Sequence, residues 1–308
     1  MQVTITGATG LIGRRLVSEL QEQGTHVRVL SRDPARAAES FRGAGAEPVE
    51  VVRWDPLSER APAQALAGCD AVVHLAGEPV AQRWSTRAKE AIRASRVIGT
   101  RNLVAGLQDC DPRPRMLLSG SAIGYYGPHG EEPLDEDAPA GQDFLAQVCA
   151  DWEAEAQKAS QLGMRVAMLR TGVVLDPGGG ALAKMLPAFR LGVGGAVAGG
   201  RQYISWIHRD DLVGIIRAAL ADERWSGPVN GTAPEPCSNG EFSRELGRAL
   251  HRPSLLPVPG AALRVLYGEM AEIVTTGARV VPAKALVLGY RFRHPELAGA
   301  LRTALQRP

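Results

Sequence analysis

The sequence predicts an α/β protein with a doubly wound parallel sheet and a smaller C-terminal lobe. Apolar segments of strand length alternate with helical segments through the first half of the chain, and right-handed crossovers leave few other arrangements for that order. A glycine-rich turn follows the first apolar segment and precedes a helical one, which places it at the carboxyl end of the first predicted strand. The six predicted strands are Val3–Ile5, His26–Leu30, Val49–Trp54, Ala71–Gly77, Met116–Ser119 and Arg165–Arg170.

The turn after the first strand carries the main functional signal. A helix is predicted to follow it, because apolar residues recur at Ile12, Leu16 and Leu20. Glycines let backbone N–H groups approach a pyrophosphate, and a helix N-terminus attracts the same anion. We therefore predict that the turn binds the phosphates of a dinucleotide, and a purely structural turn is the alternative. The predicted contacts are Gly7, Thr9, Gly10, Leu11, Ile12 and Gly13.

The end of the second predicted strand indicates which dinucleotide binds. NAD-binding proteins of this fold have an acid there, which accepts hydrogen bonds from the ribose 2′-hydroxyl. This chain has Ser31 and Arg32 instead, and a hydroxyl with a guanidinium fits a 2′-phosphate. We therefore predict NADP(H) as the cofactor, and the alternative is a solvated arginine. Asp33 complicates the prediction, although Pro34 follows it and can turn it away.

The fourth predicted strand is apolar enough to be buried on both faces, as parallel strands are. It ends in small residues, which would let the cofactor lie close to the backbone at the carboxyl edge of the sheet. We interpret His74, inside this strand, as a histidine that is hydrogen-bonded to its neighbours and takes no part in chemistry. The predicted cofactor contacts are Leu75, Ala76 and Gly77.

Several helices are predicted after this strand. The first runs from Arg83 to Leu107 and contains Arg96, which either reaches the cofactor or pairs with Glu90 on a solvated face. Further helices are predicted from 144 to 162 and after His208, where Asp210 or Asp211 could supply the N-cap.

Hydroxyl groups follow the fifth predicted strand. Carboxyl ends of strands face the ligand crevice in such sheets, so Ser121 and Tyr125 are the candidate catalytic residues. His208 is a rival proton donor, because imidazole titrates nearer to neutral pH than a phenol does. We interpret the acidic loop from 128 to 141 as a solvated surface loop and predict no metal site there.

The whole chain resembles the uncharacterised "epimerase family" of atypical short-chain dehydrogenases/reductases. The Gly-x-x-Gly-x-x-Gly spacing of the turn is similar to theirs. The resemblance implies an NADP(H)-binding Rossmann domain, which we place at 1–171 with a return segment near 203–222. A smaller substrate lobe takes up most of 172–308. Ser119 and Val174 complete the predicted cofactor contacts. The other motifs that carry the resemblance are Ser31-Arg32, His74-Leu75-Ala76-Gly77-Glu78, Ser95-Arg96, Gly124-Tyr125-Tyr126-Gly127, Arg170-Thr171-Gly172-Val173-Val174-Leu175, Trp206-Ile207-His208 and the segment from Gly289 to Leu297.

The chain departs from the catalytic members of that wider superfamily in one helix. Those enzymes combine a Ser or Thr with Tyr-x-x-x-Lys, in which the Tyr transfers a proton while the Lys lowers its pKa and holds the nicotinamide ribose. Ser121 matches the Ser, but Leu145 and Cys149 occupy the Tyr and Lys positions. One open interpretation is an NADP(H)-dependent oxidoreductase or epimerase that uses Tyr125 with Ser121. The other is a non-catalytic NADP(H)-binding protein that senses redox state or docks a partner.

A crevice lined by Tyr125, Trp206 and His208 would favour the enzyme. A closed or purely apolar crevice would favour the binding protein.

Composition and charge exclude other functions. The chain is 45% hydrophobic and 22% charged with a net charge of +2, so nothing favours binding to nucleic acid or a membrane surface. Its four cysteines form no C-x-x-C pair, which predicts reduced thiols and no metal site. No apolar run approaches the ~20 residues that span a bilayer. We expect a cytoplasmic protein with a small-molecule substrate, either a monomer or a homodimer.

Overall fold

The centre of the fold is a parallel sheet of seven strands with helices on both faces. The structure, a computed structural model, describes residues 1–42 and 48–306. The strands are β1 Gln2–Thr6, β2 His26–Ser31, β3 Glu50–Arg53, β4 Ala71–His74, β5 Met116–Ala122, β6 Pro133–Leu134, β7 Arg165–Thr171, β8 Val173–Leu175, β9 Tyr203–Ile204, β10 Trp206–His208, β11 Gly227–Gly231, β12 Cys237–Ser238 and β13 Arg279–Val280. The α-helices are α1 Leu11–Glu22, α2 Pro34–Ser40, α3 Ala63–Leu66, α4 Thr86–Gln108, α5 Phe144–Gln157, α6 Gly180–Arg190, α7 Arg209–Ala221, α8 Asn239–Ala249, α9 Gly260–Tyr267, α10 Ala271–Thr275, α11 Ala283–Val287 and α12 Leu297–Gln306. Short 3₁₀ helices cover Ile123–Tyr126, Lys158–Leu162 and Gly268–Met270.

The strand order of the main sheet is β11-β7-β5-β4-β1-β2-β3, and every neighbouring pair is parallel. The chain starts in the middle of the sheet and winds outward in both directions. The order therefore reverses between β1 and β4, whose carboxyl ends flank the crevice where such sheets bind ligands. This confirms the predicted doubly wound sheet.

The short strands form three separate pairs, β8 with β10, β9 with β12 and β6 with β13. β6 lies within the acidic segment from 128 to 141, and Glu136 just after it is buried and accepts from the N–H groups of Asn230 and Lys284. The interpretation of this segment as a solvated loop is therefore wrong at Glu136.

Six strands of the main sheet lie where the sequence predicts them, with small differences at their ends. β3 begins at Glu50, β4 ends at His74 and β5 continues to Ala122. The seventh strand, β11, falls in the part that the prediction assigns to the lobe. Its sequence, Gly-Pro-Val-Asn-Gly, is typical of a turn, yet it pairs with β7 at the sheet edge, where Pro228 is tolerated because one side forms no ladder.

The predicted helices form, with corrected ends. α4 begins at Thr86 instead of Arg83, because the Ser85 side chain accepts a hydrogen bond from the N–H of Ala88 (3.2 Å) and caps the helix there. The helix predicted from 144 to 162 is α5 followed by a 3₁₀ turn. The predicted caps of α7, Asp210 and Asp211, are wrong: α7 already begins at Arg209, and the His208 side chain is its N-cap.

Asp211 instead attaches the C-terminal segment to α7. Its buried carboxylate accepts hydrogen bonds from the backbone N–H groups of Arg293 (2.7 Å) and His294 (2.9 Å), and the hydroxyl of Tyr290 donates to its backbone carbonyl (3.0 Å). Burial raises the pKa of Asp211 even though these hydrogen bonds favour its charged form. Within residues 1–42 and 48–306, no helix is long and apolar enough to cross a membrane.

His74 is fully buried in β4, between two threonines. Its Nδ1 lies 2.6 Å from the hydroxyl oxygen of Thr6, and its Nε2 lies 3.0 Å from that of Thr100. Burial lowers the pKa of His74 to about 4, so the ring is neutral at physiological pH. The structure thus agrees with the interpretation of His74 as a hydrogen-bonded core residue.

The pKa of His74 predicts how stability depends on pH. The ordinary value of 6.5 is lowered to about 4 in the folded protein, so the unfolded chain binds a proton more readily. The contribution of His74 is complete above pH 6.5 and is lost as the pH falls towards 4. Between pH 8 and 5 this loss amounts to about 2 kcal/mol. In urea unfolding, wild type should lose that much more stability than His74→Gln over this range, and parallel pH curves would contradict the assignment.

Candidate functional site

The glycine turn lies at the carboxyl end of β1, against the end of β4. Gly7 has a φ of +69°, and a Cβ atom on it would lie 2.6 Å from the carbonyl carbon of Leu75. A Cβ atom on Gly13 would lie 2.5 Å from the Cα of Ala8. Both positions therefore require glycine, Gly7 for the turn itself and Gly13 for the packing of α1 against it.

Gly10 is under a different constraint. It is the exposed N-cap of α1 with a φ of −75°, and the nearest atom to a Cβ there would be the carbonyl oxygen of Gly7 at 3.2 Å. It provides no side-chain cap, so the first N–H groups of α1 keep their capacity to bind an anion. The neighbouring predicted contacts are the exposed Thr9 and the half-buried Leu11 and Ile12.

The end of β2 carries the residues predicted to select the dinucleotide. Arg32 is exposed, and Ser31 is half-buried with its hydroxyl donating to the carbonyl of Asp33 (3.1 Å). The Asp33 carboxylate accepts from the N–H of Arg36 (3.0 Å) and so caps α2, whose first residue is Pro34. Asp33 is therefore oriented towards α2, as the presence of Pro34 suggests.

Arg96 packs against the segment that follows β4. Its Nη1 donates to the carbonyl oxygens of Glu78 (3.0 Å) and Ile92 (3.1 Å), and its guanidinium lies 5.2 Å from the ring of Trp152. A Cβ atom on Gly77 would lie 3.2 Å from the Arg96 Cζ. Burial lowers the pKa of Arg96. Arg96 thus adjoins the predicted cofactor contact Gly77 and stabilises that segment through backbone carbonyls.

The other predicted cofactor contacts lie in different environments. The backbone N–H groups of Leu75 and Ala76 donate to the carbonyl (3.1 Å) and hydroxyl (3.3 Å) oxygens of Thr6. Ser119 is fully buried in β5, and its hydroxyl donates to the carbonyl of Gly120 (3.1 Å). Val174 is half-buried in β8, opposite Ile207 of β10.

Ser121 belongs to a buried polar network. It is 4% exposed, and its hydroxyl donates to Glu153 Oε1 (2.6 Å). Arg170 binds both oxygens of Glu153, through Nε (2.8 Å) and Nη2 (2.9 Å). Burial alone would lower the pKa of Arg170, but its hydrogen bonds to Glu153 and Tyr126 and their charges raise it above the ordinary value. The network therefore holds the Ser121 hydroxyl in one orientation and keeps Arg170 charged.

The two neighbouring tyrosines after β5 have different environments. Tyr126 is fully buried, and its hydroxyl donates to Asn230 Oδ1 (2.6 Å) and accepts from Arg170 Nη1 (2.9 Å). Burial raises the pKa of Tyr126 to about 12, which removes it as an acid or base. The Tyr125 ring is half-buried and stacks on the guanidinium of Arg170, with the Cζ 3.5 Å from the ring centroid. Of the two rings, that of Tyr125 is the more exposed, and it packs on a cation.

The positions that departed from the superfamily pattern lie beside this turn. A Cβ atom on Gly124 would be 3.4 Å from the Cβ of Leu145 and 4.0 Å from the Sγ of Cys149. Burial raises the pKa of Cys149 to about 12, so its thiol stays neutral. α5 therefore presents Leu145 and Cys149 to the tyrosine turn, and neither supplies a proton or a fixed positive charge.

Trp206 and His208 are 0% and 2% exposed, so they do not line an open crevice together with Tyr125, and the feature expected to favour the enzyme is not formed by these residues. The Trp206 indole N–H donates to the carbonyl of Glu235 (3.1 Å). His208 Nδ1 accepts from the N–H of Asp210 (3.2 Å), and its ring centroid lies 3.9 Å from that of His294. His208, Asp210 and His294 bring potential metal-ligand atoms within 4.8 Å of one another. Asp210 is also ion-paired with Arg15 (3.2 Å) at a helix N-terminus, where a further cation is disfavoured.

Sequence reasoning missed the network partners of Ser121. Glu153 on α5 and Arg170 on β7 are 17 residues apart and meet only after α5 packs on the sheet. Arg170 ends a predicted apolar strand, and a charged residue there is the one signal that could have indicated a buried partner.

A sequence profile for the NAD-dependent epimerase/dehydratase family matches residues 3–230. The chain belongs to this family. A second profile, for the domain of unknown function DUF1731, matches residues 258–304. The predicted family is therefore confirmed, including the separate segment at the C-terminal end.

Relatives in this family are similar over nearly their whole length. The Arabidopsis thaliana "Epimerase family protein SDR39U1 homolog, chloroplastic" is 42% identical over 311 residues, covering 99% of this chain and 87% of the relative. Bacillus subtilis "Epimerase family protein YfhF" is 37% identical over 303 residues, covering 98% and 97%. A crystal structure of human epimerase family protein SDR39U1 (isoform 2) with NADPH superposes with a TM-score of 0.87 at 33% identity, covering 100% of both chains.

Proposed function

We propose that the protein is an NADP(H)-dependent oxidoreductase or epimerase that acts on a small molecule. One observation carries the proposal: the uncapped N-terminus of α1, the Ser31-Arg32 pair and the Tyr125 turn all lie at carboxyl ends of strands in one sheet. The human relative crystallised with NADPH supports the choice of cofactor. The proposal includes the small-molecule partner and the cytoplasmic location expected from the sequence.

In this proposal different parts of the crevice bind different parts of the cofactor. The backbone N–H groups around Gly10 bind the pyrophosphate, and Arg32 with Ser31 binds the 2′-phosphate. Arg96 and Gly77 border the nicotinamide half. A bound nicotinamide would accept or supply a hydride. The chain's own contribution is then to position the substrate and to move a proton.

Tyr125 is the proposed proton donor or acceptor. Its ring is held by stacking on Arg170, and Arg170 is fixed by the bidentate pair with Glu153. In this proposal Arg170, fixed by its pair with Glu153, takes the place of the lysine of the usual Tyr-x-x-x-Lys helix in holding the tyrosine in position. The Ser121 hydroxyl, the second proposed catalytic group, donates to the same Glu153 carboxylate.

A non-catalytic NADP(H)-binding protein is the second candidate. The observation that favours it is the Ser121 hydroxyl, which is 4% exposed and already donates to Glu153. With Leu145 and Cys149 in place of the usual Tyr and Lys, such a site binds the cofactor without a complete proton-transfer set. Binding of NADPH without turnover of any substrate would identify this case.

A turnover screen with Tyr125→Phe distinguishes the two candidates. Purified protein is incubated with fractionated metabolite extracts, and oxidation of NADPH or reduction of NADP⁺ is followed by absorbance. Once a substrate is found, Tyr125→Phe should lower kcat by roughly a hundred-fold with unchanged cofactor affinity, because only the proton transfer is lost.

Tyr267→Phe, which removes the hydroxyl of an exposed tyrosine in the lobe, is the matched control and should leave kcat unchanged. Normal turnover by both Tyr125→Phe and Ser121→Ala would show that the catalytic assignment is wrong.

A further inference from the structure

The carboxyl end of β3 lies directly beside the residues proposed to select the cofactor. In the parallel pairing of β2 with β3, Arg53 is the partner of Ser31. Side chains alternate between the two faces of a sheet, and partnered residues share a face. Arg53 therefore extends from the same face and the same edge of the sheet as Ser31.

The position of Arg53 is fixed by the residue that follows it. The N–H of Trp54 donates to the carbonyl of Ser31 (2.9 Å), which joins the ends of the two strands. The Trp54 side chain is 1% exposed, and its indole N–H donates to the carbonyl of Glu59 (3.1 Å). The backbone of Arg53 is thus held against β2, and its side chain is 68% exposed.

The present partner of Arg53 leaves its guanidinium largely available. Arg53 Nη1 lies 3.6 Å from Glu59 Oε1, and that same oxygen accepts from the N–H of Asp55 (3.1 Å). A single long contact between exposed groups contributes little stabilisation. The neighbouring acid on β3, Glu50, is paired with Arg28 (2.8 Å). A doubly charged anion at the strand ends would therefore compete well for Arg53.

The charged groups at the ends of β2 and β3 also favour a contact between such an anion and Arg53. Arg32 is exposed, and the carboxylate of the following Asp33 is occupied in capping α2 through the N–H of Arg36 (3.0 Å). Arg53 adds a second guanidinium beside Ser31, and its contact with Glu59 is 3.6 Å long. Two guanidinium groups suit the several oxygens of a phosphate monoester.

We propose that Arg53 is a second arginine that binds the 2′-phosphate of NADP(H) and contributes to the preference over NAD(H). The inference rests on the proposed NADP(H) function. It adds a residue that a sequence pattern centred on the end of β2 does not include.

The test is a fluorescence titration of NADPH and NADH with four variants of the full chain. Arg32→Ala should weaken NADPH binding about ten- to a hundred-fold, and Arg53→Ala about five- to twenty-fold, with NADH affinity within about two-fold of wild type in both. Arg53→Lys should retain part of the NADPH affinity, because the charge remains and the fork is lost. Arg115→Ala is the control, since Arg115 is exposed beside the opposite, amino-terminal end of β5.

Competition by 2′,5′-ADP and 5′-AMP shows whether the contact is to the phosphate. Arg53→Ala should weaken 2′,5′-ADP binding by the same factor as NADPH binding and leave 5′-AMP binding unchanged. If Arg53→Ala lost equal affinity for 2′,5′-ADP and 5′-AMP, or kept the wild-type preference for NADPH over NADH, the proposed role of Arg53 would be overturned and the NADP(H) assignment would stand. A wild-type protein that binds NADPH no better than NADH would overturn the NADP(H) assignment as well.

Discussion

Gly10→Val is expected to abolish NADPH binding while the protein stays folded. The nearest atom to a Cβ at Gly10 is the Gly7 carbonyl oxygen at 3.2 Å, and the φ of −75° is open to any residue. The fold therefore accepts a side chain there only with a shift of a few tenths of an ångström in the turn, in addition to about 1 kcal/mol for a poor N-cap. An isopropyl group at the first turn of α1 would keep a pyrophosphate from the backbone N–H groups. A loss of more than about a hundred-fold in affinity, or ~2.7 kcal/mol, should follow.

Gly13→Ala is the contrasting variant. Its Cβ atom would lie 2.5 Å from the Cα of Ala8, so the packing of α1 has to shift and stability should fall along with binding. Thermal unfolding followed by NADPH titration separates the two effects. If Gly10→Val binds NADPH with wild-type affinity, the turn is not the phosphate site.

Glu153→Ala is expected to destabilise the protein by about 3 to 5 kcal/mol, because it leaves a buried charge without its partner. Arg170 is 3% exposed and binds both oxygens of Glu153, and Ser121 donates to one of them. Removing the carboxylate leaves the buried Arg170 guanidinium and Ser121 hydroxyl without their hydrogen-bond acceptor. Glu153→Gln keeps an acceptor and should lose less.

Asp151→Ala is the matched control on the same helix. Asp151 pairs with Arg93 (2.5 Å), and both side chains are more than 40% exposed. Its removal should cost less than about 1 kcal/mol. Urea unfolding at pH 7 measures both variants. A Glu153→Ala protein as stable as Asp151→Ala would mean that water replaces the lost partner of Arg170.

The sequence predicted the parts of the fold that depend on local patterns. Six strands and the turn at Gly7 could be read because apolar runs and glycine spacing are local signals. β11 could not, since Gly227-Pro228-Val229-Asn230-Gly231 has the composition of a turn and becomes a strand only through its pairing with β7. Tertiary contact overrode local preference there.

The candidate site was predictable to the same extent. Ser31 ends a strand and Arg32 and Tyr125 follow strands, so their position at the carboxyl edge of the sheet could be inferred. The partners of those residues could not, because pairs such as Glu153 with Arg170 depend on how α5 packs on the sheet. His208 is the reverse case, because the sequence makes it a candidate proton donor whereas its ring caps α7 in the structure.

The contact between Tyr126 and Asn230 has a consequence for synthesis of the chain. The Tyr126 hydroxyl donates to Asn230 Oδ1, and the N–H of Asn230 donates to Glu136 Oε1, a separation of 94 residues for the second pair. During translation these buried groups meet Asn230 only after β11 has left the ribosome, and Glu136 obtains its other backbone partner, the N–H of Lys284 (3.1 Å), later still. Until β11 emerges, the nascent sheet has β7 as an open edge, with Tyr126 and Glu136 each lacking Asn230. The sheet is therefore complete only when β11 has been synthesised and has paired with β7. A ribosome that stalls between β7 and β11 leaves β7 as an unpaired sheet edge that can aggregate.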